Sequence, residues 1–259
     1  KIITFILACC SLTAFAQHPD YPIQPVPFTS VKLTDQFWTP RIETNRTVTI
    51  AASFERCENT GRVKNFVMAA EHKGKFCTVY PFDDTDIYKT IEGASYSLAE
   101  HPDPKLSAYL DSLITIVGKA QEPDGYLYTA RSIDPLHPGP WAGPERWVNE
   151  QKMSHELYNA GHMYEAAVAH YMATGKRNFL NIAIKNADLL VRTFGPDKKH
   201  VAPGHEIVEM GLVKMYRATG KTEYLTLAKF FIDQRGHKQY NTKSKNEWKN
   251  GMYWQDDKP

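Results

Sequence analysis

The sequence predicts an all-α fold, an incomplete toroid of antiparallel helical hairpins behind a short extended N-terminal leader, and three observations lead there. The first is an internal echo. Tyr171-Met172-Ala173-Thr174-Gly175-Lys176, then Phe179-Leu180, returns as Tyr216-Arg217-Ala218-Thr219-Gly220-Lys221, then Tyr224-Leu225, an offset of 45 residues. In each copy a helix ends, a short turn reverses the chain and a second helix opens on an aromatic residue, which makes an antiparallel hairpin. A looser copy runs from Tyr96 through Asp103-Pro104-Lys105 to Leu106, and periods of this size mean stacked helical hairpins. The second observation is the helical spacing of apolar residues: Ile87, Ile91, Ala94 and Leu98 share one face, and Leu106, Leu110, Leu113 and Val117 repeat the pattern. The third is the leader, where Pro19, Pro22, Pro25 and Pro27 oppose a helix and leave room for at most one short strand at Val31-Lys32-Leu33.

Taken in chain order, Lys1, the apolar run from Ile2 to Ala8 and the small-x-small ending Ala14-Phe15-Ala16 read as a secretion signal over residues 1–16, without its initiator Met. The protein is therefore expected to be exported, periplasmic or secreted, with a mature chain from near Gln17. Ile6-Leu7-Ala8-Cys9 offers lipid attachment as the alternative. The apolar run is too short for a permanent span, which needs about 20 residues, and no later segment approaches that length. The leader occupies 17–37, and the helical domain follows from 38. Trp38-Thr39-Pro40 looks like a helix start, with Thr39 as cap and Pro40 at the first helical position, and Gly61 is its stop. Asp86 reads as the cap of the next helix, which Pro102 must end, and Gly118 closes the one after. Cys57 stands at helical spacing from Phe54 and reads as core; Cys57 and Cys77 either pair once or are both buried. Neither sits in a Cys-x-x-Cys arrangement, so no metal site is expected in this chain.

Hairpin stacks either run open, as solenoids that bind macromolecules along a concave face, or close into a toroid of six units with a sugar-sized pocket at one end. Loop design favours the toroid. Gln121-Glu122-Pro123-Asp124-Gly125-Tyr126-Leu127-Tyr128 leads into a long stretch from Thr129 to Glu150 that carries Trp141 and Trp147. A loop of that length in a compact domain is usually functional. Its flat indole and phenol faces suit the C–H faces of sugar rings, and anchoring the loop to the barrel is the competing role. A net charge of +2 with 42% hydrophobic residues is an ordinary globular balance, and the interrupted lysines 243, 245 and 249 form no basic stripe, so nucleic acid is not an expected partner.

The candidate substrate-binding residues are His155, His205, Tyr158, Glu209, Trp147 and Tyr126. His155 and His205 each stand where a helix begins, and in a toroid such starts converge on the pocket, where an imidazole exchanges hydrogen bonds with sugar hydroxyls. Glu206 and Glu209 sit at the positive end of their helix, which stabilises a carboxylate without further function. His155 and His162 are seven residues apart, about 10 Å along a helix, too far to share one metal ion. No convincing acid/base pair emerges, since Asp83, Asp84 and Asp86 cluster at a helix start, and there is no phosphate loop or nucleophile elbow.

Four segments together, Asp86-x-Tyr88-Lys89-x-Ile91-Glu92-x-Ala94, Gln121-x-Pro123-Asp124-Gly125-Tyr126-Leu127, His155-Glu156-Leu157-Tyr158-x-Ala160-Gly161-His162 and Gly204-His205-x-x-x-Glu209, resemble glycoside hydrolase family 127 and its relative family 146. The resemblance implies an (α/α)6 barrel, of which residues 38–259 would be the N-terminal portion, and exo-acting, retaining removal of β-L-arabinofuranose from plant glycans or glycoproteins. It implies that His155 and His205 hydrogen-bond the arabinose hydroxyls. It also implies a cysteine nucleophile held on zinc and a glutamate acid/base, residues expected beyond Pro259, so that this chain itself binds no cofactor. The glutamine that many members place in the first barrel helix has no counterpart in Ala51-Ala52-Ser53-Phe54. A chain of three to four hairpins is expected to be an inactive fragment of low stability. The alternatives are another toroidal sugar enzyme, an unsaturated glycuronyl hydrolase or polysaccharide lyase, which would want cations such as Arg131 and Arg146 in the pocket, and a non-catalytic helical-repeat module that binds a glycan.

Overall fold

A computed structural model describes residues 23–139, 141–150 and 153–235. The expected signal over residues 1–16 and the tail residues Asp256 and Asp257 lie outside the described residues, as do lysines 243, 245 and 249. No strand is formed among the described residues; the leader makes a single 3-10 turn, Phe28–Ser30, instead of pairing at Val31-Lys32-Leu33. Phe28 is pinned edge-on to Tyr96 at 4.8 Å.

The first helix, α1 (Trp38–Thr44), starts by a different device from the one its sequence suggests. Asp35 Oδ1 accepts the N–H groups of Phe37 at 2.8 Å and Trp38 at 2.6 Å. A carboxylate there satisfies two of the unpaired donors of a helix start, so the helix opens before Thr39, whose hydroxyl donates to Leu33 O instead. The chain passes through a π-helical stretch, Asn45–Thr49, into α2 (Ile50–Asn59), and Gly61, at φ 85°, breaks it from α3 (Arg62–Glu71) as expected.

Next come α4 (Asp84–Glu100) and α5 (Pro104–Lys119). Asp103 caps α5 by accepting from Lys105 and Leu106 N–H, with Pro104 at the first helical position. Asp86 is not a cap: α4 begins at Asp84, and Asp86 pairs with Arg62, which also reaches Asp83 at 2.9 Å. The long loop contains the short helix α6 (Thr129–Ser132) and leads to α7 (Glu156–Thr174), α8 (Asn178–Thr193), α9 (Ile207–Thr219) and α10 (Thr222–Asp233).

Packing sorts these helices into two rows. The helices α2, α4, α7 and α9 lie side by side in one row, and α3, α5, α8 and α10 line the other. Each hairpin contributes one helix to each row, the arrangement of an α/α toroid. The central helix α7 is buried on nearly every side, by α4, α8 and α9, and Leu157, Tyr164, Phe179, Leu180, Leu212 and Phe231 lose all solvent contact around it. Where α7 meets α9, Gly161 and Gly211 let the two backbones touch: a Cβ on Gly161 would stand 2.6 Å from Val208 N. Among the described residues Cys57 and Cys77 are free: Cys57 lies in the core as expected, but Cys77 is exposed, so the two neither pair nor share burial. No described helix is long and apolar enough to cross a membrane.

Candidate functional site

The starts of α7 and α9 bring two imidazoles together. His155 occupies the position just before α7 in the left-handed conformation, φ 58° and ψ 25°, and His205 lies in the turn before α9. Their rings are 5.4 Å apart and tilted by 37°. Tyr158, on the first turn of α7, stands 5.6 Å from His155 and 4.9 Å from His205. One turn further, His162 meets Tyr158 edge-on at 4.6 Å. From α4, Lys89 Nζ donates to Tyr158 Oη at 2.8 Å, and Phe82, just ahead of that helix, packs edge-on against His155 at 5.2 Å. Three hairpins thus build one wall of rings, half-buried at His155 and open to solvent at His205.

Two of the wall's imidazoles, His155 and His162, add polarity without charge. His155 Nδ1 lies 2.7 Å from Met153 O. A carbonyl only accepts, so Nδ1 carries the proton and Nε2 keeps a bare lone pair. Burial lowers the pKa of His155, and the nearby His205 lowers it further, against the bond to Met153. His162 is pushed down to about 4 by burial, then by Lys89 and His205. Both rings are neutral at physiological pH. Tyr158, accepting from Lys89, keeps its own hydroxyl proton to donate. The wall therefore offers a lone pair, a hydroxyl donor and apolar ring edges, a set that matches hydroxyl groups flanked by C–H.

Three residues expected to face a ligand, Tyr126, Trp147 and Glu209, are buried instead. Tyr126 is 0% and Trp147 7% exposed, and they pack edge-on against each other at 5.3 Å, with Trp147 also on Phe194 at 5.5 Å. Tyr126 Oη donates to Glu156 at 2.6 Å and its ring lies under the Arg146 guanidinium at 4.1 Å. Both aromatics anchor the loop, and Trp141 remains at its surface. Glu209 is 3% exposed and paired with Arg235 at 2.8 Å, while Glu206 reaches the same guanidinium at 3.3 Å. Nor do the two loop arginines approach the wall: Arg146 bridges Glu122 and Asp124, and Arg131 donates to Gly143 O and Pro144 O. The cation that does touch it, Lys89, gave no local signal, because its partner Tyr158 is 69 residues away. Phe82 carries no signal in the sequence, since its partner His155 lies far along the chain.

Lys89 also borders a hollow of ≈ 540 Å³ lined by Thr49, Ser53, Arg56, Arg62 and Asp86. A cavity of ≈ 530 Å³, between the leader at Pro25–Phe28 and Tyr96, Tyr171 and Lys214, sits at the other end of the same helices, away from the wall. Zinc does not fit the described residues. Among the described residues no three His, Cys, Asp or Glu side chains are grouped to hold a metal ion. Cys57 is packed in the core, and His155 has its Nδ1 committed to a carbonyl.

Comparison with known proteins gives a concordant picture. Residues 30–258 match the family described as β-L-arabinofuranosidase, GH127 catalytic domain. The non-reducing end β-L-arabinofuranosidase of Bifidobacterium longum subsp. longum is 45% identical over 157 residues, 60% of this chain and 23% of that protein. A solved GH127 β-arabinofuranosidase shares 57% identity with a TM-score of 0.80, covering 89% of this chain and 36% of its own. The GH127 β-L-arabinofuranosidase of Geobacillus stearothermophilus T6 shares 36% identity with a TM-score of 0.77, over 86% of this chain and 36% of that one. The chain thus spans about a quarter to a third of the length of these relatives.

Proposed function

Because the chain belongs to the GH127 β-L-arabinofuranosidase catalytic-domain family, we propose that it forms the sugar-holding part of an exported enzyme that removes non-reducing-end β-L-arabinofuranosyl residues from plant glycans or glycoproteins. The observation that carries this reading is the approach of His155 and His205 to 5.4 Å from neighbouring hairpins, with Tyr158 between them and Lys89 behind it. Each furanose hydroxyl both donates and accepts. His155 Nε2 accepts a hydrogen bond from one, Tyr158 Oη donates a hydrogen bond to another, and His205 completes the set from the turn before α9. His155 being neutral, it orients a neutral sugar without the desolvation cost of a buried charge.

Bond cleavage is proposed to use a cysteine nucleophile, a glutamate acid/base and zinc supplied by the whole protein outside this chain, on the strength of family resemblance. The described residues do not form a zinc site, and no step is assigned to them through one.

The test is hydrolysis of 4-nitrophenyl β-L-arabinofuranoside by the whole protein, against the α-anomer. Release from the β-anomer alone is expected. His155→Ala and His205→Ala should each lower kcat/KM by roughly ten- to a hundredfold, mainly through KM, since each removes one or two hydrogen bonds to bound sugar. Thermal unfolding should stay close to wild type. Inactivity on the β-anomer, or wild-type KM in both variants, overturns the assignment.

A further inference from the structure

Behind the wall lie two buried carboxylates that sugar binding does not use. His72, Trp147 and His155 are the non-glycine residues with positive φ among the described residues, and two of the three border this pair. A left-handed conformation costs such a residue on the order of 1–2 kcal/mol, so it persists only where neighbours enforce it.

Around His155 the enforcement is dense. His155 provides no side-chain cap to α7; Glu150, 4% exposed, does so by accepting from Leu157 N–H at 3.1 Å. Glu156, 3% exposed, accepts from Tyr126 Oη at 2.6 Å, from Ser154 Oγ at 2.9 Å and, through both its oxygens, from Trp147 N–H at 3.0 Å. The backbone on either side is fixed as well. Ser154 O accepts from Tyr128 Oη at 2.6 Å, and His155 O accepts from Asn159 Nδ2 at 2.8 Å, an amide that also holds Pro81 O. Glu156 ties the loop, through Trp147 and Tyr126, to Ser154, the residue preceding His155.

We propose that Glu156 is a positioning residue for sugar binding: it clamps the Trp147 loop and Ser154 to the start of α7 and thereby keeps the His155 ring beside Tyr158 and His205. The inference rests on the reading of His155 as a sugar-binding residue. A carboxylate suits the task because every partner is a donor, and three donors converge on two oxygens with no water needed. A glutamine would turn an N–H₂ group toward one of those donors and loosen the clamp.

The experiment is a double-mutant cycle on the whole protein with 4-nitrophenyl β-L-arabinofuranoside. Glu156→Gln should raise KM roughly tenfold with kcat changed less than about threefold, because the lost contact is one made to bound sugar throughout the reaction. In the His155→Ala background the same substitution should leave KM unchanged, since the ring it positions is gone. Equal factors in both backgrounds, with His155→Ala itself impaired, overturn the positioning role alone. A silent His155→Ala removes the sugar-binding reading and the positioning role with it. If Glu156→Gln does not fold, Tyr126→Phe deletes one bond to the same carboxylate and replaces it in the cycle. About a threefold rise in KM, absent in the His155→Ala background, is then expected.

Discussion

At their C-terminal ends α7 and α9 turn into α8 and α10 through the same bonds, whereas at their N-terminal ends they share almost nothing. Gly175 and Gly220 have φ 72° and 76°, and their N–H groups donate to Tyr171 O at 2.8 Å and Tyr216 O at 2.7 Å. Thr174 and Thr219 donate back to the carbonyl four residues earlier, and each accepts from the N–H of the following lysine. Lys176 reaches Asp111 on α5, and Lys221 reaches Asp188 on α8, so each turn also ties its hairpin to the one before. At the opposite ends, His155 is left-handed and braced by Glu150 and Glu156, while His205 sits in an exposed turn. One end is solved by local chemistry, so the solution repeats. The other is held by neighbouring carboxylates that are themselves fixed from farther along the chain, as Glu156 is by Tyr126, and strain is kept where the rings meet.

The starts of α7 and α9 are linked through the contact at Gly161. A Cβ there would stand 2.6 Å from Val208 N and 2.7 Å from Ile207 C, backbone atoms that open α9. They cannot yield without carrying His205 away from His155. Gly161→Ala is therefore expected to cost about 2–3 kcal/mol in denaturant unfolding and, in the fraction that folds, to raise KM for the aryl arabinoside. Unchanged stability and KM would mean that the starts of α7 and α9 are set independently.

The same contrast explains what was legible beforehand. The hairpins were readable because each turn is written in six consecutive residues, and apolar spacing gave α4 and α5 to within a few positions. The meeting of His155 with His205 followed from knowing that hairpin starts converge. What failed depended on distance. Thr39 has the chemistry of a cap, but Asp35 reaches the same donors first. Tyr126 and Trp147 look like a sugar platform on a Pro- and Gly-rich loop, and only Glu156, 30 residues from Tyr126, makes them anchors. Asp86 belongs to Arg62, 24 residues earlier, and Lys89 to a tyrosine on the next hairpin. Spacing along one helix carries none of these pairings.

Acid and alkali should separate wall from clamp. Burial, with the charge of Glu156 beside it, pushes Glu150 up to about 8 from an ordinary 4.5. A carboxyl raised in the folded state favours unfolding as the pH rises past its unfolded value, so this contribution is lost between about 4.5 and 8 and is level above. Asp84, raised to about 6 chiefly by burial, acts in the same direction but is spent by then. His162, held at about 4, works the other way: its contribution is complete above 6.5 and lost as the pH falls toward 4. Glu150→Gln, which keeps the acceptor and cannot ionise, should remove a stability loss of at least about 1 kcal/mol between pH 6 and 8 while leaving the acid limb untouched. A variant that follows wild type across that window would show that Glu150 is ionised in the folded protein.

The smallest effects belong to the repeated turns, and they test whether those turns are as equivalent as their bonds suggest. Nothing lies within 4 Å of a Cβ built on Gly175 or Gly220, so an alanine meets no neighbour and suffers only the left-handed backbone. Gly175→Ala and Gly220→Ala should each cost about 1 kcal/mol and agree within about 0.5 kcal/mol. Asparagine at either position should recover part of the loss, because its short polar side chain tolerates that conformation. KM should not move in any of the four variants, in contrast to Gly161→Ala on the same helix. Unequal costs would point to a difference beyond the turn itself, with Asp188 the place to look: it accepts from Tyr224 Oη as well as Lys221, a second bond that Asp111 matches with Asn178 instead.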